Sequence, residues 1–289
     1  MEGFVLMEKN KIKARIKQSK RVIPGFGISM GVTLTLLSLI VLIPMVSIVI
    51  FTSGLSFNAF LQVVFAKDVV ASYKVSFLCA IIAALINAIF GVILAWVLVR
   101  YEFPGKRILD GLIELPFALP TAVAGISLTY LYSDKGWIGS QFAKVGIKIA
   151  YTKTGIIIAM IFIGIPFVVR AIQPVLEKLD KQYEEAAAML GANGTTTFFK
   201  VIFPEIFPSL LTGFGLAFAR GLGEYGSVVF IAGNIPYETQ IAPLLIMTKL
   251  EQFKYIDATA IAVVMLLAAF IILLLINVIQ SYATKIVNV

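Results

Sequence analysis

The sequence predicts an all-α fold, a polytopic membrane helix bundle with six transmembrane helices. The chain is 60% hydrophobic and only 14% charged, with a mean hydropathy of +0.97. A soluble domain spends about 25% of its residues on charge to face water. Three uncharged runs, Phe26–Phe51, Val75–Val99 and Ala258–Thr284, each reach the roughly 20 apolar residues that cross a hydrocarbon core. Leu115–Tyr132, Thr154–Val169 and Ile206–Ile235 complete the count, the first two with mildly polar flanks.

Taken in order, residues 1–24 form a basic tail with Lys9, Lys11, Lys13, Arg15, Lys17, Lys20 and Arg21. Basic residues stay on the cytoplasmic side, which places the N-terminus there, with anionic lipid rather than nucleic acid as the tail's partner. The first run is too long for a signal-peptide core and has no small-residue cleavage site, so it reads as a retained span. Residues 25–289 read as a single transmembrane domain without internal repeats or a low-complexity linker. Six spans return the C-terminus, with Lys285, to the cytoplasm. Arg100, Lys106 and Arg107 after the second span, and Lys178, Lys181 and Lys200 after the fourth, agree with that orientation. Lys135, Lys144, Lys148 and Lys153 lie in an outer loop and oppose it, but the N-terminal cluster outweighs them. Trp137–Ala150 and Thr239–Phe253 read as amphipathic segments on the outer membrane surface, either a lid over the bundle or docking ground for an external partner.

The polar residues inside the spans are few. Pro116 and Pro120 interrupt the third span, freeing carbonyls either for helix packing or for lining a path. Arg220 and Glu224 are four residues apart, on one face of a continuous helix. They read either as a self-neutralising structural pair or as a charge pair beside a passage for an anion. Gly213, Ala217 and Gly221 form a strip of small side chains that lets a neighbouring helix pack closely.

Several chemistries are excluded. With no histidine there is no His base, Ser-His triad or His metal site. Cys79, alone in the sequence, has no intrachain disulfide partner. No Walker-type loop, G-x-S-x-G elbow, cysteine cluster or carboxylate pair is read in the sequence, so no catalytic residue, metal ion or cofactor is expected.

One stretch does not belong to any span. "EEAAAMLGANG", Glu184–Gly194, lies in the loop of residues 177–204. Alanines and Leu190 favour a helix, the glutamates suit its N-terminal end, and Gly191 suits its C-terminus. Lipid-binding surface helices are basic and bulky, whereas this one is acidic and alanine-rich, so a protein groove is the better partner.

At this loop the chain resembles the permease subunits of ABC importers. Their hallmark is E-A-A, three residues, Gly, nine residues, then I-x-L-P. Glu185, Ala186, Ala187, Gly191 and Pro204 keep that spacing, while Val201 and Phe203 replace the Ile and Leu. The resemblance implies a type I importer permease fold and a coupling helix that inserts into a cytoplasmic ATPase. "ELPFALPTAVAG", "IPFVVRAIQPVLEKL", "YEEAAAMLGA" and "GLGEYGSVVFIAGNIP" resemble the sulfate/thiosulfate permeases of the CysT type over nearly the whole chain. The molybdate/tungstate permeases share fewer of these elements. The CysT resemblance implies a cell-membrane importer of sulfate or thiosulfate in which this subunit has no ATPase site of its own. Its implied partners are cytoplasmic ATP-binding subunits, a second and different permease chain, and an extracytoplasmic sulfate-binding protein. An ion-coupled secondary carrier is the rival, but it needs midplane carboxylates and repeats, and only Glu224 qualifies.

Overall fold

Proline and glycine set several of the helix boundaries in the computed structural model, which describes residues 25–287. The basic tail and the side chain of Lys285 lie outside the described residues. The chain divides into two units, residues 1–51 and 52–289. Helix α1 (Phe26–Thr52), all but its last residue in the first unit, contains a π-helical stretch at Ser38–Leu42. Pro44 has no N–H to return to an earlier carbonyl, and the widened turn just before it absorbs that loss.

The second unit begins with α2 (Phe57–Val64), capped where the Ala59 N–H donates to Ser56 Oγ at 3.3 Å. Then come α3 (Lys67–Arg100), α4 (Lys106–Ala118), α5 (Thr121–Tyr132), the short α6 (Gly139–Ala143) and α7 (Lys153–Lys178). After them follow α8 (Gln182–Met189), α9 (Gly194–Leu222), the single turn α10 (Val228–Ile231), α11 (Ala242–Glu251) and α12 (Tyr255–Val287). Within α9, residues Phe198–Ile202 are π-helical, two residues ahead of Pro204. The same spacing separates Leu42 from Pro44, so one cause explains both bulges.

Helices α3, α7 and α9 form the centre. Small residues let them approach closely: Val168 of α7 lies between Gly91 of α3 and Gly213 of α9. A Cβ on Gly91 would meet Val168 Cγ1 at 2.5 Å, and one on Gly213 would meet Val168 Cα at 2.7 Å. The strip of Gly213, Ala217 and Gly221 therefore serves packing, with Ala217 buried and Gly221 against Met160.

Five helices are long and apolar enough to cross a membrane, and α4 with α5 makes a sixth if the bent pair is one span. Three boundaries differ from those read in the sequence. The third span is two helices bent by 113°. Leu119 before Pro120 is forced out of the helical region, at φ −87° and ψ 135°, and α5 restarts after Pro120. The fifth span does not run through Ile206–Ile235. It begins at Gly194 and stops at Leu222, where Gly221, Gly223 and Gly226 crowd one short stretch. The fourth extends past Val169 to Lys178 and so contains Arg170.

Residues 239–253 are not a surface-lying segment. Ile241, Ala242, Leu244 and Leu245 are buried, and α11 packs against α3 and α12. The Ala242 N–H donates to Ser76 Oγ of α3 at 2.7 Å. Amphipathic composition reflected a face turned to protein rather than to lipid. Of Trp137–Ala150 only Gly139–Ala143 is helical, with Trp137 exposed and Ile149 and Ala150 buried.

Candidate functional site

Two places collect the residues singled out by sequence. The first is α8 and its exit. Glu184 and Glu185 occupy its first turn, where a carboxylate is favoured by the helix dipole. Leu190 ends it, and Gly191 follows at φ 81°, the left-handed conformation a non-glycine residue resists. The Ala192 N–H donates to the Ala187 carbonyl at 3.0 Å and the Gly191 N–H to the Ala188 carbonyl at 2.9 Å. That pair of bonds is a Schellman closure, which turns the chain sharply toward α9. Asn193 then accepts the Thr196 N–H at 2.8 Å and starts the next helix.

The resulting unit is short and exposed. Met189 and Leu190 are 90% and 88% exposed, and Tyr183, Glu185 and Ala186 are exposed beside them. Two adjacent apolar side chains left this open at the end of a polar helix make a small apolar tip. Pro204 lies fourteen residues past Leu190 on α9, exposed, where it shapes the π-helical entry of that span.

The second place is the end of α9. Arg220 Nη1 stands 2.6 Å from Glu224 Oε2 although the helix ends between them. Glu224 Oε1 also accepts the Ser227 N–H at 2.9 Å and the Ser227 hydroxyl at 3.1 Å. The carboxylate is 1% exposed, while the Arg220 side chain keeps 37% of its surface open. The loop Glu224–Ser227 lies against the first turns of α5: a Cβ on Gly226 would meet Thr121 Oγ1 at 2.1 Å, and one on Gly125 would meet the Ser227 carbonyl at 2.4 Å. The break at Pro120 is thus brought to the loop holding Glu224. Pro116 is elsewhere: it is buried within α4, beside the edge-on contact of Phe117 with Phe167 of α7 at 5.1 Å.

Two charged clusters were not recognised in the sequence. Arg170 Nη1 is 2.7 Å from Asp110 Oδ1, and its Nη2 is 2.7 Å from Glu114 Oε1, which ties α7 to α4. Gln173 joins the same guanidinium and donates to Glu177 at 3.1 Å. Arg170, like Arg220, therefore lies inside a span, and Asp110 and Glu114 do form a carboxylate pair, held by an arginine. A cavity of about 520 Å³ beside them is lined by Glu102, Lys106, Arg107, Asp110 and Gln173 among others. The clue was present: carboxylates at i and i+4 on one helix, and a lone arginine among apolar residues. The other cluster is Arg100 with Glu184, 2.7 Å apart.

Comparison with known proteins agrees with this architecture. Residues 87–288 match the family described as "Binding-protein-dependent transport system inner membrane component". The sulfate transport system permease protein CysT of Escherichia coli (strain K12) is 48% identical over 263 residues, 91% of this chain and 95% of that protein. The CysT protein of Synechocystis sp. is 46% identical over 89% of this chain and 90% of that one. Among solved structures, a bacterial ABC transporter involved in the import of the acidic polysaccharide alginate aligns with a TM-score of 0.73 at 14% identity, covering 94% of this chain and 99% of that one. An inward-facing MetNI methionine ABC transporter aligns at 0.55 and 15% identity, over 74% and 95%. At such identities these two speak for the fold alone. By its match over residues 87–288 and its near-half identity with CysT proteins over about nine-tenths of its length, the chain belongs to the family of binding-protein-dependent transport system inner membrane components.

Proposed function

We propose that this chain is the membrane-spanning permease of an ATP-driven importer for sulfate, with thiosulfate as a second cargo. The observation that carries the reading is the identity of 46–48% with sulfate transport system permeases over about nine-tenths of the chain. ATP is hydrolysed by separate cytoplasmic subunits. An extracytoplasmic sulfate-binding protein delivers the anion, and a second, different permease chain completes the path. The protein sits in the cell membrane with both termini in the cytoplasm.

In this reading Glu185, Ala186, Ala187, Gly191 and Pro204 form the joint with the ATPase. The open Met189–Leu190 tip supplies the apolar anchor, and the Schellman closure makes it rigid enough to transmit force. Arg220 is the basic group offered to the anion, positioned by Glu224 and by the break at Pro120; Pro116 shapes the same span farther along. Because Glu224 neutralises much of the guanidinium charge, the anion is attracted without being held tightly, which suits release. A secondary carrier would need Glu224 free to take a coupling ion, but both of its oxygens are engaged by Arg220 and Ser227. The test is uptake of radiolabelled sulfate by proteoliposomes holding the assembled complex, with thiosulfate and molybdate as competitors. Stronger displacement by molybdate than by unlabelled sulfate would overturn the sulfate assignment.

A further inference from the structure

The last two turns of α3 hold the α8 loop from both sides. Arg100 ends α3, and its side chain is 9% exposed. Its Nη2 stands 2.7 Å from Glu184 Oε1 in the first turn of α8 and donates to the Leu179 carbonyl at 3.2 Å. Leu179 is the residue that ends α7, so an arginine from one helix caps the C-terminus of another 79 residues away. One turn earlier, the Trp96 ring lies 5.6 Å from the Arg100 guanidinium carbon and meets Phe198 edge-on at 5.7 Å. Phe198 belongs to the π-helical stretch that follows α8. Leu179 and Glu184 are on the entering side of the loop, Phe198 on the leaving side.

The peptide chain joins α8 only to α7 and α9, so a displacement of α8 reaches α3 through non-covalent contacts. A planar guanidinium that engages a carboxylate and a carbonyl together, with little water around it, resists both sliding and twisting. A lysine would offer only a flexible point charge.

We propose that Arg100 is the positioning residue that transmits movement of Gln182–Met189 to the span Lys67–Arg100, anchored on Glu184 and Leu179, with Trp96 against Phe198 as the second hold. The proposal rests on the reading of α8 as the joint with an ATPase. Its test uses the complete complex, with Cys79→Ala and spin labels at Lys67→Cys and Lys135→Cys, both exposed positions. The label separation is measured by pulsed electron–electron resonance without nucleotide and with ATP and vanadate, beside sulfate uptake per ATP hydrolysed. With Arg100 present the separation changes between the two states. Arg100→Gln abolishes that change and lowers uptake per ATP about tenfold, while hydrolysis per complex stays within about threefold. Arg100→Lys gives an intermediate result. If Arg100→Gln leaves the change and the uptake ratio intact, or if uptake and hydrolysis fall in proportion, the proposal is overturned. Should Arg100→Gln fail to assemble, Glu184→Gln at the more exposed partner is judged by the same two readouts. A complex with Arg100 that changes separation but takes up no sulfate refutes the sulfate reading, while the distance arm still judges this one.

Discussion

Arg220 and Glu224 hold one another across the end of their helix, Nη1 to Oε2 at 2.6 Å, with Leu222 the last helical residue between them. The spacing that suggested one helical face gave the right pair through a different geometry. The chain turns at Gly223, and Ser227 completes the carboxylate's shell from beyond the turn. Glu224 is buried and depends on these partners, whereas Arg220 retains an open face.

That asymmetry separates folding from transport. Arg220→Gln strands a buried carboxylate, and breaking a buried pair costs about 3–5 kcal/mol. Glu224→Gln keeps an acceptor for Ser227 and leaves the partly open Arg220 unpaired, so it costs less. The double change Arg220→Gln with Glu224→Gln recovers most of the stability, read as thermal unfolding in detergent. Its sulfate uptake per assembled complex nonetheless falls well below normal, while resting ATP hydrolysis persists. Near-normal uptake by the double variant removes Arg220 from the transport path.

Gly191 has open space where a Cβ would go, so only its φ of 81° opposes substitution. Gly191→Val is strained by roughly 1–2 kcal/mol in that conformation. The variant inserts into the membrane normally, because no packing is lost. It binds the ATPase subunits more weakly, or hydrolyses ATP without matching uptake, and co-purification with paired uptake and hydrolysis assays distinguishes these from normal coupling. Glu185→Lys acts in the same direction by reversing a charge in the first turn.

Met189 and Leu190 offer a test free of backbone strain. At 90% and 88% exposure they add almost nothing to the fold, so Met189→Ser with Leu190→Ser changes stability by no more than about 0.5 kcal/mol. If both are buried in a partner, each loses about 1.5–3 kcal/mol of apolar transfer. The expected result is a fall in ATPase affinity of at least about a hundredfold, measured with the purified subunits. Unchanged affinity would move the docking surface away from this tip.

Asn87 and Gly164 make a prediction about the core. Asn87 is 1% exposed, and neither its amide nitrogen nor its carbonyl oxygen has a hydrogen-bond partner. A Cβ on Gly164 would lie 2.3 Å from Asn87 Nδ2. Gly164→Ala is therefore expected to destabilise by about 1–3 kcal/mol through overpacking. Asn87→Ala opens the space, so the double variant melts at a higher temperature than Gly164→Ala alone, a strong departure from additivity. Additive shifts would mean that the two residues are not in contact.

How far the sequence could be read depended on whether a signal was local. Helix Gln182–Met189 was legible because alanine content, an acidic first turn and Gly191 act within a few residues. Pro120 announced a break in the third span, but its angle depends on the Glu224–Ser227 loop packing against Thr121, about a hundred residues later. Arg170 was missed because the apolar run stops at Val169, and its carboxylates lie 60 and 56 residues earlier on another helix. Residues 239–253 misled for a related reason: amphipathicity gives a face, not what covers it.

The length of α3 has a mechanical consequence. Its 34 residues extend about 51 Å at 1.5 Å per residue, against a hydrocarbon core of about 30 Å. A rigid helix of that length is a lever arm longer than the membrane is thick. Pivoted near one end, a tilt of about 10° swings the other by about 9 Å. With the pivot close to Arg100, a movement of a few ångströms at that end is therefore enlarged several-fold at the Lys67 end.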